Sequence, residues 1–465
     1  MGVRWSVKTA VTVVVVVLLA VPGLADAAPA RGWEPPNMMA VPPQIPKAID
    51  DAIPAPPYPR PRVIPQRAQA PGVTKATLQL RAAALPSPSG DPLFDRWSPN
   101  LKTMAPGTLI TVRDVTATAA PLVTAPITRA RLMKFASRDA LGLPSFGTAT
   151  ILEPRAKAPV RGPRPILVNN LAINSLGTTC TPGYTLAHGF DKDSSLTNFF
   201  PPTTQLALAR GYTVIVPDHE GPRMAYAEPT TAGHVILDAL RAAARLDRPR
   251  FGASKIAMVG YSGGAIATNG ATKLMSGYAP ELVDRVVGAA MGGVPADFRM
   301  LVGSMNANLA TGLFHGATFG ISRERPEILT MANHLAQWMA TSPLKDVCTL
   351  PMAVLGGSFL PMQLMSNDPD PFHSPVAEKI YRVTKMADAK SPVPLYIYQG
   401  ASEFWIPVAG ARNLFHEQCR LGVNASFHAV PGEHVIGELA GFPGALTWLD
   451  ARLRGIPARD GCVRT

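Results

Sequence analysis

From about residue 109 onward the chain alternates between short apolar runs and longer amphipathic ones. LITVRDV (109–115), GTATILEP (147–154), PILVNNL (165–171), TVIVPD (213–218), KIAMVG (255–260), VVGAAMGG (286–293), PLYIYQG (394–400) and ASFHAV (425–430) predict strands. Several are apolar throughout instead of alternating, the pattern of parallel strands buried on both faces. Apolar positions at helical spacing predict helices over 231–246, after Ala265, over 408–420 and over 436–453. Strand–helix alternation of this kind predicts an α/β fold, a mostly parallel sheet with helices on both faces. A mostly helical interruption, 294–386, breaks the pattern, and 8 of the 17 methionines fall between Met291 and Met365. Flexible, apolar methionines suit either a lid over an apolar pocket or the ordinary core of an inserted subdomain.

Ahead of the alternating region the pattern fails. Between Ala28 and Pro71, 13 of 44 residues are proline. Proline fixes φ and removes a backbone donor, so residues 28–90 are expected to form an extended arm or linker with little core. Arg4 and Lys8 precede the apolar run Ala10–Val21, and Ala25 and Ala27 supply the small residues of a cleavage site. This layout predicts a signal peptide over 1–27 and a secreted or envelope-associated protein. The run is shorter than the ~20 residues a spanning helix needs. The α/β core is then expected over 91–293 and 387–465.

Composition sharpens this only in places. At 465 residues, 47% hydrophobic and 16% charged, the chain is neither a disordered tail nor a multi-span membrane protein. The net charge of +12 is not gathered into basic clusters interleaved with aromatics, so no nucleic-acid partner is expected. Attraction to an anionic envelope or lipid surface is compatible with it. In an exported chain, Cys180, Cys348, Cys419 and Cys462 predict two disulfides, with three pairings open. No Cys/His spacing suggests zinc, and no cofactor is expected.

The segment GYSGG at 260–264 matches G-x-S-x-G and follows a predicted strand directly. On a tight strand-to-helix turn the glycines allow a strained backbone that presents Ser262, with the Gly263 N–H as an oxyanion donor. A serine hydroxyl needs a base. Three histidines follow the 394–400 strand: His416 in a predicted helix, His428 in a strand, and His434 in the loop after it, which makes His434 the general base. The only carboxylate in GASEFWIP (400–407) is Glu403, the expected acid that orients the imidazole, with Asp388 as fallback.

Together VPDHEGP (216–222), GYSGG (260–264), GVPAD (293–297), GASEFWIP (400–407) and GEHVIGEL (432–439) resemble the secretory lipase family, from about Asp91 to the C-terminus. The resemblance implies an α/β-hydrolase with a helical cap, here 294–386, hydrolysing carboxylic esters of lipids without a cofactor. It implies that Asn174, in NSLGTTC (174–180), supplies a second oxyanion donor through its backbone N–H, where the family carries Asp. Glu403 likewise stands where Asp is usual. The family arrangement implies Cys180–Cys348 and Cys419–Cys462 disulfides, and a structural turn, not a metal site, at Asp218, His219 and Glu220. Alternatives from the same residues are acyl transfer to another alcohol, a serine peptidase, or an inert hydrolase fold that binds the envelope.

Overall fold

The computed structural model describes residues 36–57, 72–191, 194–195, 198 and 202–462. The expected signal segment 1–27 lies outside them, as do 28–35 and 58–71 of the expected arm. Among the described residues nine strands form one sheet: β1 (Leu109–Asp114), β2 (Ile127–Arg138), β3 (Pro144–Pro154), β4 (Ile166–Asn170), β5 (Thr213–Pro217), β6 (Ile256–Tyr261), β7 (Val286–Gly292), β8 (Leu395–Gly400) and β9 (Ala425–Val430). Their order is β1-β2-β3-β5-β4-β6-β7-β8-β9. The first three strands pair antiparallel, β3 pairs antiparallel with β5, and the remaining pairs are parallel.

β2 is the strand that hydrophobic patterning misses. Its segment carries Arg129, Arg131, Lys134 and Arg138, which read as solvated. Two of these cations are nevertheless buried with partners. Arg131 pairs with Glu153 of β3 at 2.9 Å, and Lys134 donates to the Arg96 carbonyl at 2.5 Å while lying over the Phe146 ring. Long stems cover apolar surface while the charged heads are satisfied.

Helices bury both faces of the sheet. Val235, Ile236 and Leu240 of the Pro229–Leu246 helix share one core with Ala265, Ala271 and Met275 of the Gly263–Tyr278 helix. On the other face, Phe442, Leu446 and Leu449 of the His434–Leu453 helix pack on Tyr396, Tyr398 and Ala290. That last helix starts at His434, two residues earlier than its apolar pattern suggests, because the Glu433 carboxylate accepts from the backbone N–H groups of Val435 and Ile436. Residues 294–386 hold the helices Phe298–Met305, Thr311–Glu324, His334–Thr341, Thr349–Val354 and Pro375–Lys385, laid over the carboxyl edge of the sheet. Two disulfides form, Cys180–Cys348 between the core and this helical region and Cys419–Cys462 near the C-terminus. No helix among the described residues is long and apolar enough to cross a membrane.

The proline-rich segment departs from the extended linker that its composition predicts. Helices form at Gln44–Ala52 and Lys75–Ala83, and both dock on the helical region. The Asn37 side-chain amide donates to the carbonyls of Gly303 and Asn306, both at 2.9 Å. Farther on, Leu80 and Arg81 are buried. The prolines punctuate the segment without preventing short helices of nine residues from finding partners.

Arg323 ties core, helical region and arm together. Its guanidinium is fully buried and donates to five carbonyls, those of Ala84, Leu176, Arg223, Met224 and Lys345, at 2.7–3.1 Å. Burial lowers its pKa only to about 10, so it stays charged at neutral pH. Arg323→Leu leaves those carbonyls unsatisfied and is expected to destabilise the fold by about 4 kcal/mol. Denaturant unfolding measures this, and a loss under ~1 kcal/mol would contradict the bonding role.

Candidate active site

β6 ends at Tyr261 and the next helix begins at Gly263, so Ser262 is the whole turn between them. Its φ of 52° and ψ of −121° are strained for a residue with a side chain. The surroundings hold it there. Its N–H donates to the Gly292 carbonyl at 2.9 Å, and its carbonyl accepts from Ala265 and Ile266 at 2.9 and 3.1 Å. A Cβ on Gly260 would collide with the Gly264 carbonyl, and one on Gly264 with the Asn170 carbonyl. Both glycines of the motif are therefore required by close approach of backbone to backbone. As the first residue of its helix, Gly263 has an N–H with no intrahelical partner.

Glu403 lies in the turn after β8, with its side chain fully buried. One carboxylate oxygen accepts from the backbone N–H groups of Trp405 and Ile406 at 3.0 and 3.2 Å. The other accepts from His434 Nδ1–H at 2.6 Å. With Nδ1 donating to Glu403, Nε2 is the ring nitrogen that carries the lone pair in the neutral imidazole. The Tyr261 hydroxyl donates to the His434 carbonyl at 2.5 Å and fixes the start of the last helix against the serine turn. Burial lowers the imidazole pKa, but the Glu403 carboxylate, helped by Glu438 and Glu433, outweighs it, and the net shift is upward.

Ser262, Gly263, Asn174 and His434 line one cavity of about 390 Å³ that continues under the helical region. Asn174 adopts a left-handed φ of 44°, and its side-chain amide lies directly against Gly263, where a Cβ would strike its oxygen. Among the described residues that oxygen is buried without a hydrogen-bond partner. The backbone N–H of Asn174 instead faces the Glu220 carboxyl, which also accepts from Ser175 at 3.4 Å. The Asn174 side chain thus turns its carbonyl oxygen, an acceptor, toward Gly263, with its NH2 group farther away.

The remaining sequence candidates fall elsewhere. Asp388 and His416 line a separate polar cavity with Lys273 and Glu417. His428 stacks on Tyr396 at 4.2 Å and bonds the Ser426 hydroxyl at 3.1 Å. Asp218 accepts from Thr148 and Gly183 at 2.5 and 2.7 Å, and His219 bonds the Leu171 carbonyl at 2.8 Å. Burial raises the Asp218 pKa to about 7 and lowers that of His219 to about 4. Sequence reasoning overlooked Glu438. It lies one helical turn beyond His434 and lines the same cavity, where burial pushes its pKa up to about 7. The i, i+4 spacing from His434 was the signal available.

A nine-stranded, mostly parallel sheet with a serine on a strand-to-helix turn defines the molecule as an α/β-hydrolase. Residues 202–461 match the model of the secretory lipase family, more than half of the chain, and the chain belongs to that family. It is accordingly a carboxylic ester hydrolase whose substrates are lipid esters. Lipase 1 of Candida albicans is 28% identical over 341 residues, covering 69% of this chain and 72% of that protein. A Mycobacterium tuberculosis protein named a probable inactive lipase is 28% identical over 385 residues, 81% of this chain and 85% of that protein. Among solved structures, the closed state of Candida antarctica lipase A matches with a TM-score of 0.71 at 25% identity, covering 82% of this chain and 90% of that chain.

Proposed function

We propose that the protein is a secreted serine hydrolase that cleaves lipid esters through an acyl-enzyme on Ser262. The observation that carries this reading is the 2.6 Å contact between His434 and a buried Glu403, with His434 and Ser262 on the wall of one apolar cavity. The Ser262 hydroxyl attacks the ester carbonyl carbon while His434 Nε2 takes its proton. The Gly263 N–H stabilises the oxyanion, with Asn174 beside it on the cavity wall. The imidazolium then gives its proton to the leaving alcohol as the carbon–oxygen bond breaks. Water, deprotonated by His434, attacks the acyl-enzyme, and the carboxylic acid leaves as the Ser262 hydroxyl is restored. Glu403 keeps Nδ1 protonated and stabilises the positive ring throughout.

Residues 294–386 act as a cap whose apolar underside receives the acyl chain. Around the Glu403 and His434 loops, Phe404, Val435, Ile436 and Leu439 are exposed, an apolar rim suited to a lipid surface. Export is supported by the signal-like layout of residues 1–27 and by two disulfides. The name of the M. tuberculosis relative describes that protein; here the nucleophile, base and acid residues are all present.

A fluorophosphonate probe is expected to label the folded protein at Ser262 alone, located by peptide mass analysis, with triacylglycerol hydrolysis lost in parallel. Labelling at another serine, or none on folded active protein, would overturn the assignment. Adding a competing alcohol during hydrolysis separates acyl transfer from hydrolysis through the products formed.

A further inference from the structure

We propose that Leu80, which lies outside the cavity on the Lys75–Ala83 helix, sets the length of acyl chain that the site accepts. The proposal rests on the reading above, in which the cavity holds the acyl part of an ester attacked by Ser262. Part of the cavity wall is made by Leu329, Ala332, Ala336 and Met365. Leu80 is only 4% exposed and packs into the same apolar cluster as these four residues. Ala332 and Ala336 each contribute a single methyl group, so at this point the wall is thin and Leu80 is its backing.

Leu80 cannot retreat. The neighbouring Arg81 Nε donates to the Arg323 carbonyl at 2.5 Å, and Arg323 Nε donates to the Ala84 carbonyl at 3.0 Å. At the other end of the helix, the Thr74 hydroxyl accepts from the Thr77 N–H at 3.2 Å. The helix is thus capped at its start and pinned to Arg323 just beyond Leu80, so shortening that side chain opens space that the backbone does not close. Met365, flexible and on the wall itself, can move into the vacated volume and deepen the cavity.

Met38 provides a contrast within the same arm. It is 9% exposed and clusters with Val302, Phe314, Phe372 and Tyr381, which also line the cavity. There three of the wall residues are rigid aromatics, Phe314, Phe372 and Tyr381, so truncating Met38 removes packing with little added reach. Two comparable core truncations, both outside the cavity, therefore have different consequences for selectivity.

The test measures kcat/KM of the full chain on p-nitrophenyl esters from butyrate to stearate. Leu80→Ala is expected to move the optimum longer by two to three carbons, with the long-to-short ratio rising about fourfold for each methylene newly accommodated. Ala336→Leu, which thickens the wall, should move the optimum shorter. Met38→Ala should leave the profile in place. If Leu80→Ala does not fold, Leu80→Val and Ala336→Leu carry the same comparison in opposite directions. An unchanged profile in folded Leu80 variants, or the same shift in Met38→Ala, overturns the proposal. Failure of the wild-type protein to hydrolyse any ester in the series would overturn the proposed function instead.

Discussion

Ser262→Ala is expected to lower ester hydrolysis by roughly 10⁴- to 10⁶-fold in kcat, with the fold unchanged. The large effect follows from the division of labour at the site. In the proposed mechanism no acyl-enzyme forms without the hydroxyl, which leaves His434 and the Gly263 N–H to assist only direct attack by water. Stability should change little, because alanine keeps the Cβ and hence the strain at φ 52°. The hydrogen bonds that hold the turn are all backbone bonds and survive the change. Steady-state kinetics with a soluble ester, beside a thermal melt, measure both quantities. Activity within tenfold of wild type in a folded variant would remove Ser262 from the mechanism.

Glu403→Gln is expected to cost roughly 10²- to 10⁴-fold in kcat while preserving the loop. The glutamine oxygen can still accept from Trp405 and Ile406, but its amide nitrogen then faces His434 Nδ1 and favours the wrong tautomer. A second readout is the pH profile. A protonated His434 cannot accept the serine proton, so activity falls as pH drops through its pKa. In wild type that pKa is raised above its ordinary value of about 6.5 because the Glu403 carboxylate outweighs burial. Removing the negative charge lets burial dominate, so the acid limb of kcat/KM should move to lower pH. Asp388→Asn, in the separate polar cavity, should leave both kcat and the acid limb in place. A larger loss from Asp388→Asn than from Glu403→Gln would reverse the assignment of the acid.

The parallel strands were legible because strands buried on both faces must be apolar along their whole length, and β4, β5, β6 and β8 are fully buried. The serine turn was legible for a related reason. Close backbone contact at Gly260 and Gly264 permits no side chain, so geometry is written directly into residue type. β2 was illegible because Arg131 and Lys134 look solvated until Glu153, the Arg96 carbonyl and the Phe146 ring are placed beside them. The docked helices of the arm were hidden likewise, since their stability comes from partners more than 200 residues away, Gly303, Asn306 and Arg323 among them.

Local residue order was thus enough for the class of fold, for the serine on its turn, and for naming Glu403 and His434, each by its place just beyond a strand, as a pair that the fold brings within 2.6 Å. Long-range packing alone decided that the Asn174 side chain lies beside Gly263 and that Glu438 joins His434 on the cavity wall. It also decided that a proline-rich arm backs that wall through Leu80. The division has a physical cause. Strand burial and backbone strain constrain the residue at its own position, whereas the shape and charge of a cavity are sums over side chains that meet only when the chain has folded.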